Sequence, residues 1–543
     1  MMKRISVIIT VAAILAASCC QTAFAQSNTS QKESFKLGQW TEIQNNINSY
    51  LARFYVDSLP ADRMFRAGID AMLEALDPYT VYVPEEEQES FEMMITNSYG
   101  GIGAIIYKPE KDGYVFINEP YENSPAALAG LQCGDRIIAI NGESTIGLDA
   151  SQASSKMKGK AETDVHFRVL KVHSADTVDY TITRKKIHLP SVEYYGMLDS
   201  RTGYIYQSRF TENVSEEVRE AFLNLKKQGM ERLILDLRGN GGGLMDEAIK
   251  ILSFFLPENT LVVTSKGSDG EREYRTGGKP LDTEIPLMLM VDSGSASSSE
   301  IVSGAIQDLD RGTIAGKRTF GKGLVQRILP IAYNGQLKLT ISKYYTPSGR
   351  CVQAKDYSNR AEDGSVGNIP DSLIHEFKTL KGRIVKDGGG ITPDLVIESK
   401  PYNRITVAAV AGGLTSNWPL EYVKKHKTIA PVDEFKLSDA EYEEFAEWGA
   451  KEAFDIRSES ETCYDILVKQ MKKDGIYEDA KDALSAIEKI VRMEKKEALM
   501  RNRENIRPLL EEEIVTRYYY QKAGIKIRLR DDSQLWEALK QWK

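Results

Sequence analysis

Histidine is scarce in this sequence. Five occur in 543 residues, His166, His173, His188, His375 and His426. Three of them belong to a β-rich stretch or its connection and one to the charged tail, and none falls in a strand-end loop of the α/β segment described below. Spacing does not forbid a Ser-His-Asp arrangement, whose members can be distant in sequence, but it offers none of these histidines a visible place in one. Cysteine is also sparse. Apart from Cys19 and Cys20 near the N-terminus there are Cys133, Cys351 and Cys463, an odd number without a CxxC pair, so neither a disulfide framework nor a zinc site is expected. Long basic blocks are missing, and 70 Lys and Arg against 78 Asp and Glu give a formal charge of −8. Nucleic acid is therefore not an expected partner. Beyond the first 25 residues no run approaches ~18 apolar residues, the length a helix needs to cross a bilayer.

Those first residues are of a different kind. Lys3 and Arg4 precede the apolar run "ISVIITVAAILAA", and Ala23-Phe24-Ala25 offers small residues for cleavage. This is the pattern of a secretory signal, and the mature chain is expected to be exported, soluble and without a membrane span. A lipid anchor on Cys19 or Cys20 is the less favoured reading, because Ala16 stands where a leucine usually precedes such a cysteine.

The remainder divides by pattern. Residues 26–98 form an N-terminal helical region, with Trp40, Ile43, Ile47, Tyr50 and Phe54 at helical spacing until "LDPYT" interrupts it. Residues 99–172 are short β-type runs between glycines, with "SPAALAGL" as a short helix. From 173 to 400 strands alternate with helices: "RLILDL", "LMDEAIKILSFFL", "LMLMVD", "SSEIVSGAIQDL". Alternation of this kind predicts a parallel sheet with right-handed crossovers and helices on both faces. Residues 401–543 read as a charge-rich helical extension, with a capping-box pattern at Ser438-x-x-Glu441.

Chemistry concentrates at two strand ends of the α/β segment, where ligands gather in open α/β sheets. "GSASSSEIVSGAIQD" (294–308) sets Ser297 at a helix mouth, where unpaired N–H groups suit a developing oxyanion. The same four residues, Ser297-Ser298-Ser299-Glu300, form a capping box, in which Ser297 is only a cap. The glycine run of "DLRGNGGG" (236–243) lets backbone N–H groups approach a ligand. A serine nucleophile needs a base, and "AGKRTFGKGLVQ" offers Lys322, with Gln326 four residues on as an orienting partner; a solvated loop lysine is the plain alternative. Gly316-x-x-x-x-Gly321-Lys322 approaches a phosphate-binding loop, yet Gly323 replaces the Ser or Thr and a strand follows, so that reading is rejected.

Taken together, "GSASSSEIVSGAIQD", "TFGKGLVQ", "LILDLRGNGGGLM", "LDPYTVYV", "GGIGA…SPAALAGLQCGDRIIAINGE", "YYTPSGRCVQ" and "GGGITPDLVI" resemble the carboxyl-terminal processing peptidases, or tail-specific proteases, over roughly residues 70–400. The resemblance implies a multidomain α/β chain: N-terminal helices, a PDZ domain at 99–172, a serine peptidase core and a helical C-terminal extension. It implies Ser297 as nucleophile, Lys322 as general base and Gln326 as the residue that positions it, with backbone N–H groups of Gly242 and Ser298 as the oxyanion hole and no metal or cofactor. It assigns Gly100, Gly101, Ile102, Gly103 and Ile105 to a peptide-binding loop that takes free apolar C-termini of protein or peptide substrates. Ser298 stands where the family commonly has alanine, and Gly241 where it often has proline. A non-catalytic adaptor that binds C-termini and a Ser-His hydrolase remain as rival readings. Dimerisation, an adaptor partner and the role of residues 401–543 stay open.

Overall fold

A computed structural model describes residues 34–108, 113–361, 363–398, 401–454, 457–492 and 494–542. The expected signal segment, with Cys19 and Cys20, lies outside them. The chain divides into two units at Ala75. The first holds a helix over 34–54 and a second, Ala61–Glu74, which begins after Pro60. Its apolar stripe of Trp40, Ile47, Tyr50 and Phe54 is exposed.

The second unit, from Leu76 onward, contains everything else. Its centre is a six-stranded sheet in the order Val192–Met197, Thr202–Gln207, Arg232–Asp236, Leu287–Val291, Thr313–Gly316, Leu395–Val396. The first pair is antiparallel and every later pair parallel. The alternation of strand and helix in the sequence dictates this arrangement, because a parallel neighbour needs a crossover. The helices Val214–Lys227, Met245–Phe255 and Ser298–Asp308 all pack on one face, against Leu233, Leu235, Leu287, Leu289 and Ile314. The other face, with Tyr204, Ile234, Met288, Met290 and Ala315, is covered by Ile525, Leu529, Leu535 and Ala538 of the C-terminal helices. Both faces are helix-covered as expected, but the second cover comes from the segment read as an extension.

"GLVQRILPI" and "QLKLTISKYYT" are strands, Leu324–Pro330 and Gln336–Tyr345, of a separate antiparallel sheet that also takes in Val81–Val83, Leu261–Gly267 and Gly270–Arg275. The β-rich module has the strand order Ala104–Tyr107, Val115–Pro120, Arg136–Ile140, Asp164–Leu170, Thr177–Thr183 around Ile117, Ile137, Phe167 and Val169. Thr177–Thr183 pairs along its full length with Asp164–Leu170, so the sheet runs past the expected limit at 172. The short helix begins at Pro125 with Ser124 as its cap. After residue 401 eight helices follow among the described residues, from Arg404–Ala411 to Ser533–Gln541, and the capping box at Ser438 and Glu441 is formed. The long helix Arg503–Arg530 breaks at Tyr520 (φ 67°, ψ 174°), and its second half folds back so that Arg530 reaches Glu511.

Candidate active site

Three neighbouring parallel strands, Arg232–Asp236, Leu287–Val291 and Thr313–Gly316, end at the same edge of the sheet and deliver three loops there. The middle loop is held by Asp292, whose Oδ1 accepts from Gly294 and Gly239 N–H at 2.9 Å each. It leads into Ser297, which begins the helix Ser298–Asp308 with φ 54° and ψ −111°. This is a rare conformation for a residue with a side chain, costing on the order of 1–3 kcal/mol, and it persists only where the surroundings enforce it. Three bonds enforce it here. Ser297 N–H donates to Glu300 Oε2 at 2.9 Å, Glu300 N–H donates to the Ser297 carbonyl at 2.8 Å, and Tyr344 Oη donates to that same carbonyl at 3.1 Å. The capping box is formed, with the Ser297 side chain facing Glu300 N–H, yet that N–H bonds the Ser297 carbonyl and the hydroxyl makes no cap hydrogen bond of its own.

Glu300 is the residue that sequence reasoning missed. It is fully buried, and its carboxylate accepts four hydrogen bonds. Oε2 takes Ser297 N–H and Lys322 N–H (2.8 Å); Oε1 takes Gly321 N–H (2.7 Å) and Thr319 Oγ1 (2.6 Å). One carboxylate therefore fixes the backbones of both the serine and the lysine. Burial lifts its pKa, and the four donors pull it part of the way back. The only signal in the sequence was its place three residues after Ser297, where capping was a sufficient account.

Lys322 projects into a cavity of about 330 Å³ that Ser297, Gln326, Gly242 and Ser298 also line. Its ammonium lies 4.0 Å from the centre of the Tyr79 ring. That ring is placed by a turn in "LDPYT", where Asp77 Oδ1 accepts from Tyr79 and Thr80 N–H at 2.8 and 2.9 Å. Among the described residues Lys322 has no carboxylate partner. Burial first, then the charge of Lys338, push its pKa down to about 8 against the opposing pull of Asp77 and Glu300. A lysine near 8 is a usable base at neutral pH, whereas an ordinary one is not.

Gln326 reaches the cavity by a different route from the one expected. Lys322 precedes the strand, and a bulge between Val325 and Gln326 breaks the two-residue alternation on which the expectation rested. Gln326 Nε2 donates to Thr340 Oγ1 at 3.2 Å, and Thr340 Oγ1 to Asp77 Oδ1 at 3.2 Å. Ser297, Lys322 and Gln326 share one cavity without hydrogen bonds between them, as is common before a substrate draws such groups together. None of the five histidines lines it.

The glycine loop corrects one assignment. Gly242 N–H donates to Asn240 Oδ1 at 2.9 Å, so it is not a free oxyanion donor in this structure. Among the described residues Gly243 N–H and Ser298 N–H at the cavity have no hydrogen-bond partner, and Ser298 Oγ ties the two segments by donating to the Gly243 carbonyl at 2.9 Å. Gly242 matters for space. With φ +94°, an added Cβ would come 2.7 Å from the Ala296 carbonyl and 2.8 Å from Ser297 Cβ.

The cavity wall is mostly apolar. Leu244, Met245, Ile301 and Leu324 come from the core, and Phe91, Met94 and Ile95 from the helix Gln88–Thr96, whose place here no motif signals.

In the β-rich module, Ile102 and Gly103 (φ +73°) leave unpaired N–H groups beside the free edge of Ala104–Tyr107. Gly100 and Gly101 pair instead with Lys186 and Lys185, and Gly100 packs against the Gly159 carbonyl. Ile102 is buried in the module core. Ile105, opposite Glu119, lines a cavity with Glu513 and Thr516 of the C-terminal helices. Ile102, Ala104 and Ile106 pack on the module core, so plain alternation turns Ile105 to the opposite face.

Residues 201–360 match peptidase family S41, residues 116–171 the PDZ domain, and residues 405–541 the C-terminal helical domain of a probable PDZ-protease. Over residues 201–360 the chain is thus similar to S41 peptidases, and over 116–171 to PDZ domains. A "Probable CtpA-like serine protease" of Staphylococcus aureus (strain COL) is 33% identical over 314 residues, 57% of this chain and 62% of its own. Its namesake in Staphylococcus epidermidis (strain ATCC 35984) is 34% identical over 309 residues, 56% and 62%. The match thus spans less than two thirds of these relatives' own length. Among solved structures, a "Photosystem II D1 C-terminal processing protease" shares 25% identity with a TM-score of 0.36, covering 66% of this chain and 86% of that one.

Proposed function

We propose that this chain is an exported serine endopeptidase that captures apolar C-termini through its PDZ domain and cleaves by a Ser–Lys acyl-enzyme mechanism. The observation that carries the reading is Lys322, partly buried, unpaired and with a pKa of about 8, in one cavity with a strained Ser297. Neutral Lys322 takes the Ser297 proton as Oγ attacks the scissile carbonyl. The oxyanion forms between Ser298 N–H and Gly243 N–H at the helix mouth. The lysinium then protonates the departing amine, and water activated by the same lysine releases the acyl group. The apolar wall suits an uncharged side chain next to the cut bond. Absence of histidine from the cavity counts against a Ser-His hydrolase. Export rests on the pattern of the first 25 residues, with periplasm or cell envelope as the destination. Among the described residues no helix is long and apolar enough to cross a membrane.

The test is cleavage of an unstructured polypeptide with an apolar free C-terminus by the wild-type chain, with Ser297→Ala and Lys322→Ala alongside. Cleavage that both folded variants lose supports the dyad. Undiminished cleavage by Lys322→Ala refutes it.

A further inference from the structure

The glycine loop poses a mechanical problem. Gly239, Gly241, Gly242 and Gly243 surround a single asparagine, so the segment carrying an oxyanion donor has almost no side chains with which to hold itself. Donors of this kind work only when fixed to about half an ångström. Within the peptidase core the loop is tied by Asn240. Its side chain donates to the Gln207 carbonyl at 2.9 Å, and its own carbonyl accepts from Ala296 N–H and Ser299 Oγ.

The residue before the loop, Arg238, is tied from elsewhere. Its Nε donates to Asp236 Oδ2 at 2.9 Å, and Asp236, almost fully buried, also accepts from Tyr204 Oη at 2.7 Å. The far side of the guanidinium reaches the C-terminal helices. Nη2 donates to Asp532 Oδ2 at 2.5 Å, Nη1 to Asp532 Oδ1 at 3.2 Å and to Gln534 Oε1 at 3.4 Å. Asp532 is itself fixed, because Oδ1 caps the last helix through Leu535 N–H at 3.0 Å, and Gln534 donates to the Ile397 carbonyl at 3.0 Å. Burial alone would raise the Asp532 carboxyl, but the hydrogen bonds and charge of Arg238 hold it below the ordinary range. The pair therefore stays ionised across neutral pH. A bidentate arginine fork sets direction as well as distance. It stands one residue from Gly239, whose N–H is in turn held by Asp292 of the nucleophile loop.

The geometry points to a working part for the helical extension: Asp532 holds Arg238, and through it positions the glycine loop whose Gly243 N–H stabilises the oxyanion. This rests on the peptidase reading above. Asp532 and Arg238 are positioning residues, remote from the substrate, so their removal should loosen the transition state and leave ground-state binding intact.

The experiment uses the full chain with Asp532→Asn, Asp532→Ala and Asp532→Glu. Expected for Asn and Ala are a fall in kcat of about 10–100-fold with KM within about threefold, and a matching loss of affinity for a peptidyl boronate, which mimics the tetrahedral intermediate. The affinity for a peptide bound through its C-terminus stays unchanged, and Asp532→Glu recovers part of kcat. Hydrogen exchange of residues 239–243 is read in the same samples and should quicken in Asn and Ala. Folded variants with wild-type kcat and unchanged exchange overturn the proposal. So does a loss of kcat that only follows the fraction unfolded in a thermal melt. If the wild type cleaves nothing, the peptidase reading fails on its own, and exchange still decides whether Asp532 holds the loop.

Discussion

Raising the pH from 7 to 9 should increase kcat/KM about tenfold. The reasoning starts from Lys322, whose pKa is pushed down to about 8 by burial and by Lys338. Only the neutral amine can accept the Ser297 proton. A group titrating near 8 is about 9% neutral at pH 7, about 50% at pH 8 and about 91% at pH 9. Below pH 7 the rate falls by about one decade per unit, and above pH 9 it levels off. An ordinary lysine near 10.4 would be neutral in fewer than about one molecule in 1,000 at pH 7, so the environment of Lys322 supplies more than two decades of active base. Lys338 gives the internal control. It is the second cause of the depression, and replacing it by Met removes a positive charge, so the inflection should move to higher pH. The assay is kcat/KM for a quenched-fluorescent peptide from pH 5.5 to 9.5 at constant ionic strength, with Ser297→Ala as blank. An activity maximum below pH 6, or an inflection that Lys338→Met leaves in place, would refute the assignment of Lys322 as the base.

Two substitutions probe the frame around the dyad. Glu300→Gln turns an acceptor of four hydrogen bonds into a group whose NH2 faces at least one N–H donor in either orientation. It should cost about 2–4 kcal/mol in chemical denaturation and lower kcat at least about 100-fold in the folded fraction; a fully active variant would show that the carboxylate is not the tie between Ser297 and Lys322. Gly242→Ala forces a Cβ to within 2.7 Å of the Ala296 carbonyl at φ +94°, and should lower both Tm and kcat, whereas Gly241→Ala meets open space and should leave stability within about 0.5 kcal/mol.

What was legible in the sequence was the set of loops. Strand–helix alternation predicted a parallel sheet, and a parallel sheet allows "DLRGNGGG" and "GSASSSE" to meet at one edge, as they do. What was hidden was side-chain traffic across long separations. Nothing near "LDPYT" indicates that its turn places Tyr79 against a lysine more than 240 residues later. The alternation of strand residues predicted that Gln326 and Lys322 share a face, and a single bulge invalidated the rule while the cavity kept both. Ile105 was named from the family resemblance, and ordinary alternation, with Ile102, Ala104 and Ile106 on the core, turns it to the opposite face. Gly242 was named as a donor because glycine frees the backbone. Its actual contribution is the missing Cβ, since Asn240 takes its N–H.

These observations explain why a chain of this design needs so much scaffold around so small a cavity. A histidine base is neutral at pH 7 with little help, whereas a lysine base has to be kept dry, beside another cation and away from carboxylates. Yet a nearby buried carboxylate, Glu300, holds the backbones of both Ser297 and Lys322. The structure resolves the conflict by saturating Glu300 with four donors. That disperses its charge over Ser297, Thr319, Gly321 and the Lys322 backbone and leaves the Lys322 side chain facing an aromatic ring. Ser297 and the glycine loop likewise draw on partners outside their own segments, Tyr344 for the first, Gln207, Ala296 and Ser299 for the second, with Asp532 gripping Arg238 just ahead of it. The proposed Ser–Lys centre is thus a property of the assembled fold rather than of any motif. Substitutions far from the cavity, at the C-terminal helices above all, should therefore lower kcat before they unfold the protein.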